Sequence, residues 1–176
     1  EQLGSGLAAD FVGDKIRVAD GILFSTDTAD ANALDDYEEG TFTPAYVAST
    51  GTNPTVGYVG VGDPSGAYTK IGNMVTCVLS MAASSSVSGG TTAACYISGL
   101  PFTLATGADG TISAPTCQNW NDAAKAPVTG YVTGGAPRVL LRRISSGFSA
   151  HTTTKTEDLR TTGDSNQCKF AFTYRA

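Results

Sequence analysis

Two segments of the chain alternate apolar and polar residues with a period of two, which is the pattern of a half-buried β-strand. In residues 74–83, Val75, Cys77, Leu79 and Met81 alternate with Thr76, Val78 and Ser80. In residues 168–174 the larger apolar side chains are those of Phe170, Phe172 and Tyr174, and the positions between them are Lys169, Ala171 and Thr173. Both segments are therefore predicted to lie with one face against a core.

Shorter apolar runs bounded by turn residues predict further strands, at residues 42–47, 91–97, 110–117, 128–133 and 137–145. Residues 50–64 predict a loop or a loose hairpin. The strand at 91–97 is expected to return antiparallel on 74–83 around a Ser-rich loop at 82–90. The 21 glycines and 7 prolines favour many turns and disfavour long helices. The expected fold is all-β, a β-sandwich or jelly-roll-like domain.

The first 30 residues differ from the rest of the chain. Their apolar residues are spread thinly among Gly, Ala and Asp, with short strands predicted at 15–18 and 21–24. Such a segment can bury its apolar side chains only against the main domain or against copies of itself. We therefore predict an N-terminal stem and oligomerisation segment at residues 1–30 and a main domain at 31–176. Residues 25–40 are interpreted as an acidic connector with one helical turn.

Charge and composition exclude several classes of function. Charged residues make up 15% of the chain, the formal net charge is −5 and the pI is about 4.6. A nucleic-acid-binding protein would be expected to carry a basic stripe, which this sequence lacks. No apolar run approaches the length needed to cross a bilayer. We therefore expect neither a nucleic-acid partner nor membrane insertion.

The four cysteines, at positions 77, 95, 117 and 168, do not have the spacing of a zinc site. In the predicted hairpin around residue 86, antiparallel partners sum to about 172, so Cys77 would face Cys95. One interpretation is a pair of buried free thiols that behave as small apolar residues. The other is a cross-strand disulfide, which needs suitable geometry and an oxidising compartment.

No spacing of acidic residues or nucleophiles indicates an active site. A glycosidase needs two carboxylates at a fixed separation, and the candidates by residue type alone are Asp109, Asp122, Glu157, Asp158 and Asp164. The single histidine, His151, lies near several serines, but no nucleophile-elbow motif accompanies it. We therefore predict a protein that is not an enzyme and that uses no cofactor.

An acidic cluster, formed by Asp35, Asp36, Glu38 and Glu39, could supply oxygen ligands to calcium. It lacks the spacing of an EF-hand loop. A solvated surface or a polar contact between subunits is favoured, and no metal site is predicted.

The strongest candidate for ligand binding is Trp120, the single tryptophan, set between Asn119 and Asn121. An indole offers a broad apolar face beside directional amide groups, which suits stacking on a sugar ring. Tyr131 and Arg138 would join this site if their strands are adjacent. The alternative is a Trp that anchors its loop to the domain or lies in a subunit interface. On the first interpretation, Trp120→Ala abolishes binding without lowering thermal stability.

Arg142 and Arg143 are neighbours on one predicted strand, so their side chains point to opposite faces of the sheet. At most one of them can face a core. The inward one needs a carboxylate partner, which we expect from a neighbouring subunit, whereas the other is expected to be solvated.

Three strings of residues indicate a protein family more specifically than these patterns do. They are ALDDYEEGTFTP at residues 33–44, YTKIG at 68–72 and ISGLPF at 97–102. With the closing strand FAFTY at 170–174, they resemble the distal domain of bacteriophage tail-fibre and related virion fibre proteins. The resemblance covers residues 30–102 well and the C-terminal end loosely, whereas residues 103–167 match no motif of that family.

The resemblance implies a homotrimeric fibre-tip domain in a tail or head fibre of a virion that is assembled in the host cytoplasm. It further implies attachment to a glycan or other receptor of the bacterial surface and contacts with other virion or tail proteins. The alternatives are a purely structural fibre or capsid-decorating protein without a ligand, and a polysaccharide depolymerase. The motifs are interpreted as scaffold signatures, so the resemblance assigns no binding residue.

Overall fold

The computed structural model describes residues 22–23, 25–26, 28–29, 34, 36–59, 64–107, 110–112, 115–132, 137–144 and 150–176. The chain divides into two compact units, residues 1–36 and 37–176. In the first unit, Ile22 and Leu34 form an antiparallel bridge. The strand predicted at 15–18 lies outside the described residues, and oligomerisation through the stem stays a prediction.

The second unit consists of short antiparallel strands: β1 Tyr37–Phe42, β2 Ala45–Ala48, β3 Thr55–Tyr58, β4 Ser65–Ile71, β5 Met74–Met81, β6 Ser84–Ser88, β7 Cys95–Ser98, β8 Gly110–Thr111, β9 Thr116–Gln118, β10 Thr129–Val132, β11 Arg138–Ile144, β12 His151–Thr153, β13 Thr162–Ser165 and β14 Gln167–Arg175. Single 3-10 turns lie at Ala123–Lys125 and Thr156–Asp158. The predicted all-β sandwich is confirmed.

The strands form three sheets. Sheet 1 has the order β1-β4-β5-β14-β9, and sheet 2 has the order β2-β7-β11-β10-β8, with β12 also pairing with β11. A smaller sheet 3 has the order β13-β6-β3. Two segments, 110–112 and 116–118, connect sheets 1 and 2 along one edge: β8 pairs with β10 in sheet 2, Ile112 bridges Phe172, and β9 pairs with β14 in sheet 1.

The core lies between the inner faces of sheets 1 and 2. Sheet 1 contributes the alternating apolar residues of β5 and β14, so the two period-two segments are confirmed as half-buried strands. Sheet 2 contributes a matching inner face: Tyr46, Ala48, Cys95, Ile97, Val132, Val139 and Leu141. Facing apolar layers of this kind are the basis of a β-sandwich.

The predicted hairpin between 74–83 and 91–97 is wrong. β5 pairs with β4 and β14 in sheet 1, whereas β7 pairs with β2 and β11 in sheet 2. The Ser-rich segment between them is not a loop, because Ser84–Ser88 forms β6 of sheet 3. Cys77 and Cys95 therefore do not face each other in a ladder, and both are buried free thiols.

The first predicted strand is divided in two. Residues 37–42 belong to sheet 1 and residues 45–48 to sheet 2, and Pro44 lies between them. Proline has no N–H to donate to a ladder, so the chain leaves sheet 1 at this point. The acidic connector expected to reach residue 40 accordingly ends earlier, because β1 begins at Tyr37. The strand predicted at 110–117 is likewise divided, into β8 and β9.

The residues of the three specific strings contact one another. Tyr68 lies across from Gly40, and Phe42 lies across from Gly66, in the β1–β4 ladder. The ring of Phe102 packs edge-on against Tyr68, with 5.3 Å between the ring centroids. The Tyr174 hydroxyl donates to the Phe102 carbonyl over 3.1 Å. These strings therefore build one aromatic cluster, which gives them a scaffold role.

The hairpin between β4 and β5 also depends on one of these strings. Its two-residue turn is Gly72 and Asn73, and Gly72 has φ +56°. A glycine with positive φ at the first turn position is the requirement of a type II′ hairpin turn, whose twist suits paired strands.

Candidate functional site

A surface of tyrosine and arginine side chains covers part of the outer face of sheet 2. Alternation along the strands places Tyr96, Leu140 and Tyr131 next to one another on three adjacent strands. Arg138 and Arg142 lie two residues before and after Leu140, on the same face of β11. We call Tyr96, Tyr131, Arg138 and Arg142 the Tyr–Arg surface.

Each arginine of this surface stacks on a tyrosine. The guanidinium carbon of Arg138 lies 4.1 Å from the centroid of the Tyr96 ring, and that of Arg142 lies 5.9 Å from the centroid of Tyr131. These distances are typical of cation–π contacts. Leu140, between the two pairs, is only 6% exposed although it faces outward. The stacking thus holds the guanidinium groups in place beside aromatic rings.

The two arginines have no acidic partner in the part of the chain that the structure describes. Among the described residues, no ion pair involves either of them, and their Nε atoms are buried without hydrogen-bond partners. Arg142 donates from Nη2 to the His151 carbonyl over 2.7 Å, which leaves its positive charge unneutralised. The loop sequences that flank β11, at 133–136 and 145–149, contain no Asp or Glu. The surface therefore concentrates positive charge on a protein that is acidic overall.

A groove adjoins the Tyr–Arg surface. It has a volume of about 610 Å³ and is lined by Thr76, Gly110, Thr111, Ile112, Ala171, Phe172 and Thr173. Thr111 connects the two regions, because it lines the groove and lies across from Tyr131 in the β8–β10 ladder. Thr76 and Thr173 face each other across sheet 1, with 3.1 Å between their hydroxyl oxygens. The groove thus presents hydroxyl groups and small apolar side chains.

This combination of groups suits an anionic sugar. Aromatic faces pack against the C–H face of a pyranose ring, and a guanidinium group binds carboxylate or phosphate with two parallel hydrogen bonds. Threonine hydroxyls can donate to or accept from sugar hydroxyls. Within the described residues, no cluster of His, Cys, Asp or Glu is arranged to hold a metal ion.

Of the five residues predicted to bind ligand, the structure brings two together on this surface, namely Tyr131 and Arg138. Trp120 lies elsewhere and is 6% exposed. Its indole packs edge-on against Tyr46, with 6.2 Å between ring centroids, and its Nε1 donates to the Gln167 carbonyl over 3.4 Å. An indole so placed anchors its loop, and the expectation that Trp120→Ala leaves stability unchanged does not fit this burial.

The two asparagines beside Trp120 are exposed. Asn119 has φ +56° and donates from Nδ2 to the Asp164 carbonyl over 2.8 Å. Asparagine adopts this left-handed conformation more readily than most residues, so Asn119 closes the turn that places Trp120 inside. Ligand binding by Asn119 or Asn121 stays a prediction.

Three of the five carboxylates considered as catalytic candidates have structural contacts. Asp122 caps the 3-10 turn by accepting from the Ala124 N–H, and Glu157 pairs with Lys155. Asp158 is buried and lies 3.4 Å from Lys125 Nζ and 3.5 Å from Arg143 Nη2. Asp164 is exposed, Asp109 lies outside the described residues, and His151 is exposed on β12.

The two neighbouring arginines point to opposite faces, as predicted. Arg142 faces outward on the Tyr–Arg surface, and Arg143 faces Asp158. The carboxylate partner of Arg143 therefore comes from the same chain, so the expectation of a neighbouring subunit is wrong. The reason is the 3-10 turn at Thr156–Asp158, which directs the Asp158 side chain inward. The Asp158 carboxylate also caps this turn by accepting a hydrogen bond from the Lys155 N–H.

The acidic cluster at the start of β1 binds tyrosines. The Tyr37 hydroxyl donates to Glu39 over 3.0 Å, and the Tyr68 hydroxyl donates to Glu38. These hydrogen bonds to carboxylates raise the pKa of both tyrosines. Asp35 lies outside the described residues.

Sequence reasoning missed Tyr96 and Asn166. Tyr96 lies in the segment 91–97, which the sequence predicts to pair with residues 74–83. Its actual position next to β11 therefore does not follow from the sequence. Asn166 is buried with φ +58°, and its side chain bonds to Ser84 and to both backbone groups of Arg160. An Asn after Asp164 and Ser165 is a turn signal, but it does not reveal these partners.

No protein-family model and no curated protein matches the chain. Among solved structures, the chain is similar to the Dettilon tailspike protein, with a TM-score of 0.54 and 14% sequence identity. The likeness covers 79% of this chain and 23% of the tailspike chain, so the domain corresponds to less than a quarter of that protein. At this identity the likeness is one of fold: the chain has the all-β architecture of part of a tailspike protein.

Proposed function

We propose that this domain belongs to a phage virion attachment protein and binds a bacterial surface glycan that carries carboxylate or phosphate groups. The observation that carries the proposal is the Tyr–Arg surface, whose two guanidinium groups have stacking partners but no acidic partner among the described residues. The fold likeness to a tailspike protein supports the virion setting.

The chemistry of the surface defines the glycan class. A sugar ring packs on Tyr131 or Tyr96, while its acidic group lies between Arg138 and Arg142. A neutral glycan would leave the guanidinium groups unpaired, so acidic polysaccharides are preferred.

We also propose that the domain is a homotrimer, with the outer face of sheet 1 as the contact between subunits. Tyr37, Ile71 and Met74 lie in one row across β1, β4 and β5, and Val78 lies two rows along. Their exposed fractions range from 46% for Met74 to 59% for Val78. A cluster of exposed apolar side chains of this kind marks an interaction surface.

Charges on this face favour a second copy of the chain as the partner. Glu39 lies on β1 at one side of the face, and Lys169 and Arg175 lie on β14 toward the other side. Unlike charges on opposite sides of one patch suit a head-to-tail contact, which closes into a ring of identical subunits. Three weak glycan sites on such a ring would combine by avidity.

A glycan array tests the binding function. Fluorescent domain is applied to bacterial surface polysaccharides printed as uronic-acid-containing, phosphate-containing and neutral sets. We expect signal on one or both acidic sets, which weakens at high salt because the contact is ionic. Absence of signal on all sets would favour a purely structural fibre protein.

The same polysaccharides test for depolymerase activity. Each is incubated with the domain, and reducing ends are assayed over time. We expect no release, since the described candidate carboxylates Asp122, Glu157 and Asp158 are engaged in structural contacts. Release that depends on the domain would establish the depolymerase alternative.

A further inference from the structure

Two of the four cysteines are placed for a covalent bond that the sequence pattern did not indicate. Cys117 on β9 lies directly across from Cys168 on β14 in an antiparallel ladder. Their sulfur atoms are 2.7 Å apart. Residues directly opposite in an antiparallel pair have the short Cα separation that a disulfide requires.

The other two cysteines, Cys77 and Cys95, lie opposite residues that are not cysteines. Cys77 pairs with Tyr68 and Phe172, and Cys95 pairs with Ala48. Both are fully buried, and burial raises the pKa of the Cys77 thiol to about 12. Neither of them lies across from another cysteine in a ladder, so the contrast between the two pairs is one of geometry.

We propose that Cys117 and Cys168 form a disulfide when the protein meets an oxidising environment. Cys117 is partly exposed, whereas Cys168 beside it is fully buried. Cys117 is on an edge strand of sheet 1, which leaves one side of it open. The pair is therefore an accessible thiol with an adjacent resolving thiol.

With oxidised glutathione as the oxidant, the reaction proceeds by two exchanges. The Cys117 thiolate attacks one glutathione sulfur, the glutathione S–S bond breaks, and one glutathione thiolate leaves and takes up a proton. The Cys168 thiol then loses its proton and attacks the Cys117 sulfur, which releases the second glutathione thiolate. Two protein thiols are oxidised to one disulfide, and one oxidised glutathione is reduced to two glutathione thiols.

The bond would hold the edge strand β9 and the turn after it to the last strand. That turn already depends on contacts with the β13–β14 region, through Asn119 to Asp164 and Trp120 to Gln167. The crosslink spans 51 residues of chain, and closing a loop of this length restricts the unfolded state. In a virion protein, the bond would form after release from the reducing cytoplasm. That timing rests on the proposed function, whereas the bond itself does not.

Matched cysteine pairs test the inference. Wild type, Cys117→Ser/Cys168→Ser and Cys77→Ser/Cys95→Ser are purified under reducing conditions and then incubated with oxidised glutathione at pH 8. Thiols are alkylated in denaturant and counted by intact mass. We expect wild type to fall from four alkylated thiols to two, and Cys77→Ser/Cys95→Ser from two to none. Cys117→Ser/Cys168→Ser should keep both of its thiols.

Thermal melting supplies an independent readout. Oxidation should raise the melting temperature of wild type and of Cys77→Ser/Cys95→Ser by about 5–10 °C, and should leave Cys117→Ser/Cys168→Ser unchanged. Four alkylatable thiols in oxidised wild type, or a peptide map that links any other pair, would overturn the inference. If a double variant fails to fold, the wild-type thiol count and peptide map still decide it. Glycan binding takes no part in these readouts, so failure of the proposed function is separately detected.

Discussion

Phe42 lies directly across from Gly66 in the ladder of β1 and β4, and its ring occupies the space that a side chain on Gly66 would need. The neighbouring pair repeats the relationship in reverse, since Tyr68 covers Gly40, and its ring atoms lie 2.8 Å from the position of a Cβ there. An aromatic ring that covers a glycine on the adjacent strand hides exposed backbone and fixes the register. Two such pairs explain why Gly40, Phe42 and Tyr68 stand within the specific sequence strings.

The first prediction follows from the Phe42–Gly66 pair. Gly66→Ala should lower the free energy of unfolding by about 2 kcal/mol, because the added methyl group displaces the Phe42 ring. In a Phe42→Ala background the same substitution should cost less than half as much. Urea denaturation of the four proteins in this double-mutant cycle measures the coupling. Equal costs in both backgrounds would contradict the packing described here.

Asp158 supplies the second prediction. Asp158→Asn should destabilise the domain by about 2–3 kcal/mol, because it removes the shared carboxylate of Lys125 and Arg143 from a buried position. Glu157→Gln is the matched control, since Glu157 pairs with Lys155 at the exposed surface, where such pairs contribute about 1 kcal/mol or less. Chemical denaturation at neutral pH compares the two. Similar losses for both variants would mean that Asp158 has no special role.

The third prediction concerns alkaline pH. Burial raises the pKa of the Cys77 thiol to about 12 in the folded protein, whereas an unfolded cysteine titrates near about 8.5. The unfolded state therefore loses this proton first, so the stabilisation is complete below about pH 8.5 and is lost as the pH rises toward 12. Stability should fall between about pH 9 and 11, by up to about 1.4 kcal/mol per pH unit for this group.

Cys77→Ala isolates the contribution of that thiol. Burial also raises the pKa of Cys95 and Tyr46, so both proteins should lose stability at high pH, but the variant should do so with a shallower slope. Urea midpoints in the presence of reductant, from pH 7 to 10.5, provide the measurement. Parallel profiles would show that Cys77 does not contribute.

Much of the fold was readable from the sequence because alternation reports burial on one face of a strand. The segments that form β5 and β14 are predicted correctly for this reason. Pairing partners are not readable from the sequence, since the apolar run at 91–97 could pack equally well in either sheet. The divided strand at Pro44 shows the same limit: the residue types predicted extended chain, but only the proline marked where the chain changes sheets.

The candidate site was only partly predictable. Arg138 and Tyr131 were proposed on residue type, and they meet because β10 and β11 are neighbours. Trp120 was proposed for the same reason, but a large aromatic residue suits a core as well as a sugar, and here Tyr46 and Gln167 hold it inside. Tyr96 could be recognised only once β7 was known to pair with β11.

The fourth prediction tests self-association. In solution the protein should have the mass of a trimer by light scattering, and Val78→Asp should shift it toward monomer, because three carboxylates would be placed within the apolar contact. Val59→Asp is the control, since Val59 is also exposed but follows β3 in sheet 3. A wild-type monomer would refute the trimer, and equal effects of both substitutions would refute this face as the contact.

The fifth prediction addresses the Tyr–Arg surface itself. Arg138→Gln/Arg142→Gln removes both guanidinium groups but keeps a side chain of similar reach beside each tyrosine. Arg160 carries the same charge as Arg138 and Arg142. It is exposed and lies two residues after the 3-10 turn at Thr156–Asp158. Arg160→Gln is therefore a control for charge, and thermal melting of each variant verifies that the fold is retained.

The most direct measurement is isothermal titration of wild type and these two variants with the acidic glycan that gives the strongest array signal. Charge-assisted hydrogen bonds contribute about 1.5–3 kcal/mol each, so Arg138→Gln/Arg142→Gln should weaken binding by at least about tenfold. Arg160→Gln should bind within about twofold of wild type. Equal affinity of all three proteins for the glycan would contradict the Tyr–Arg surface as the binding site.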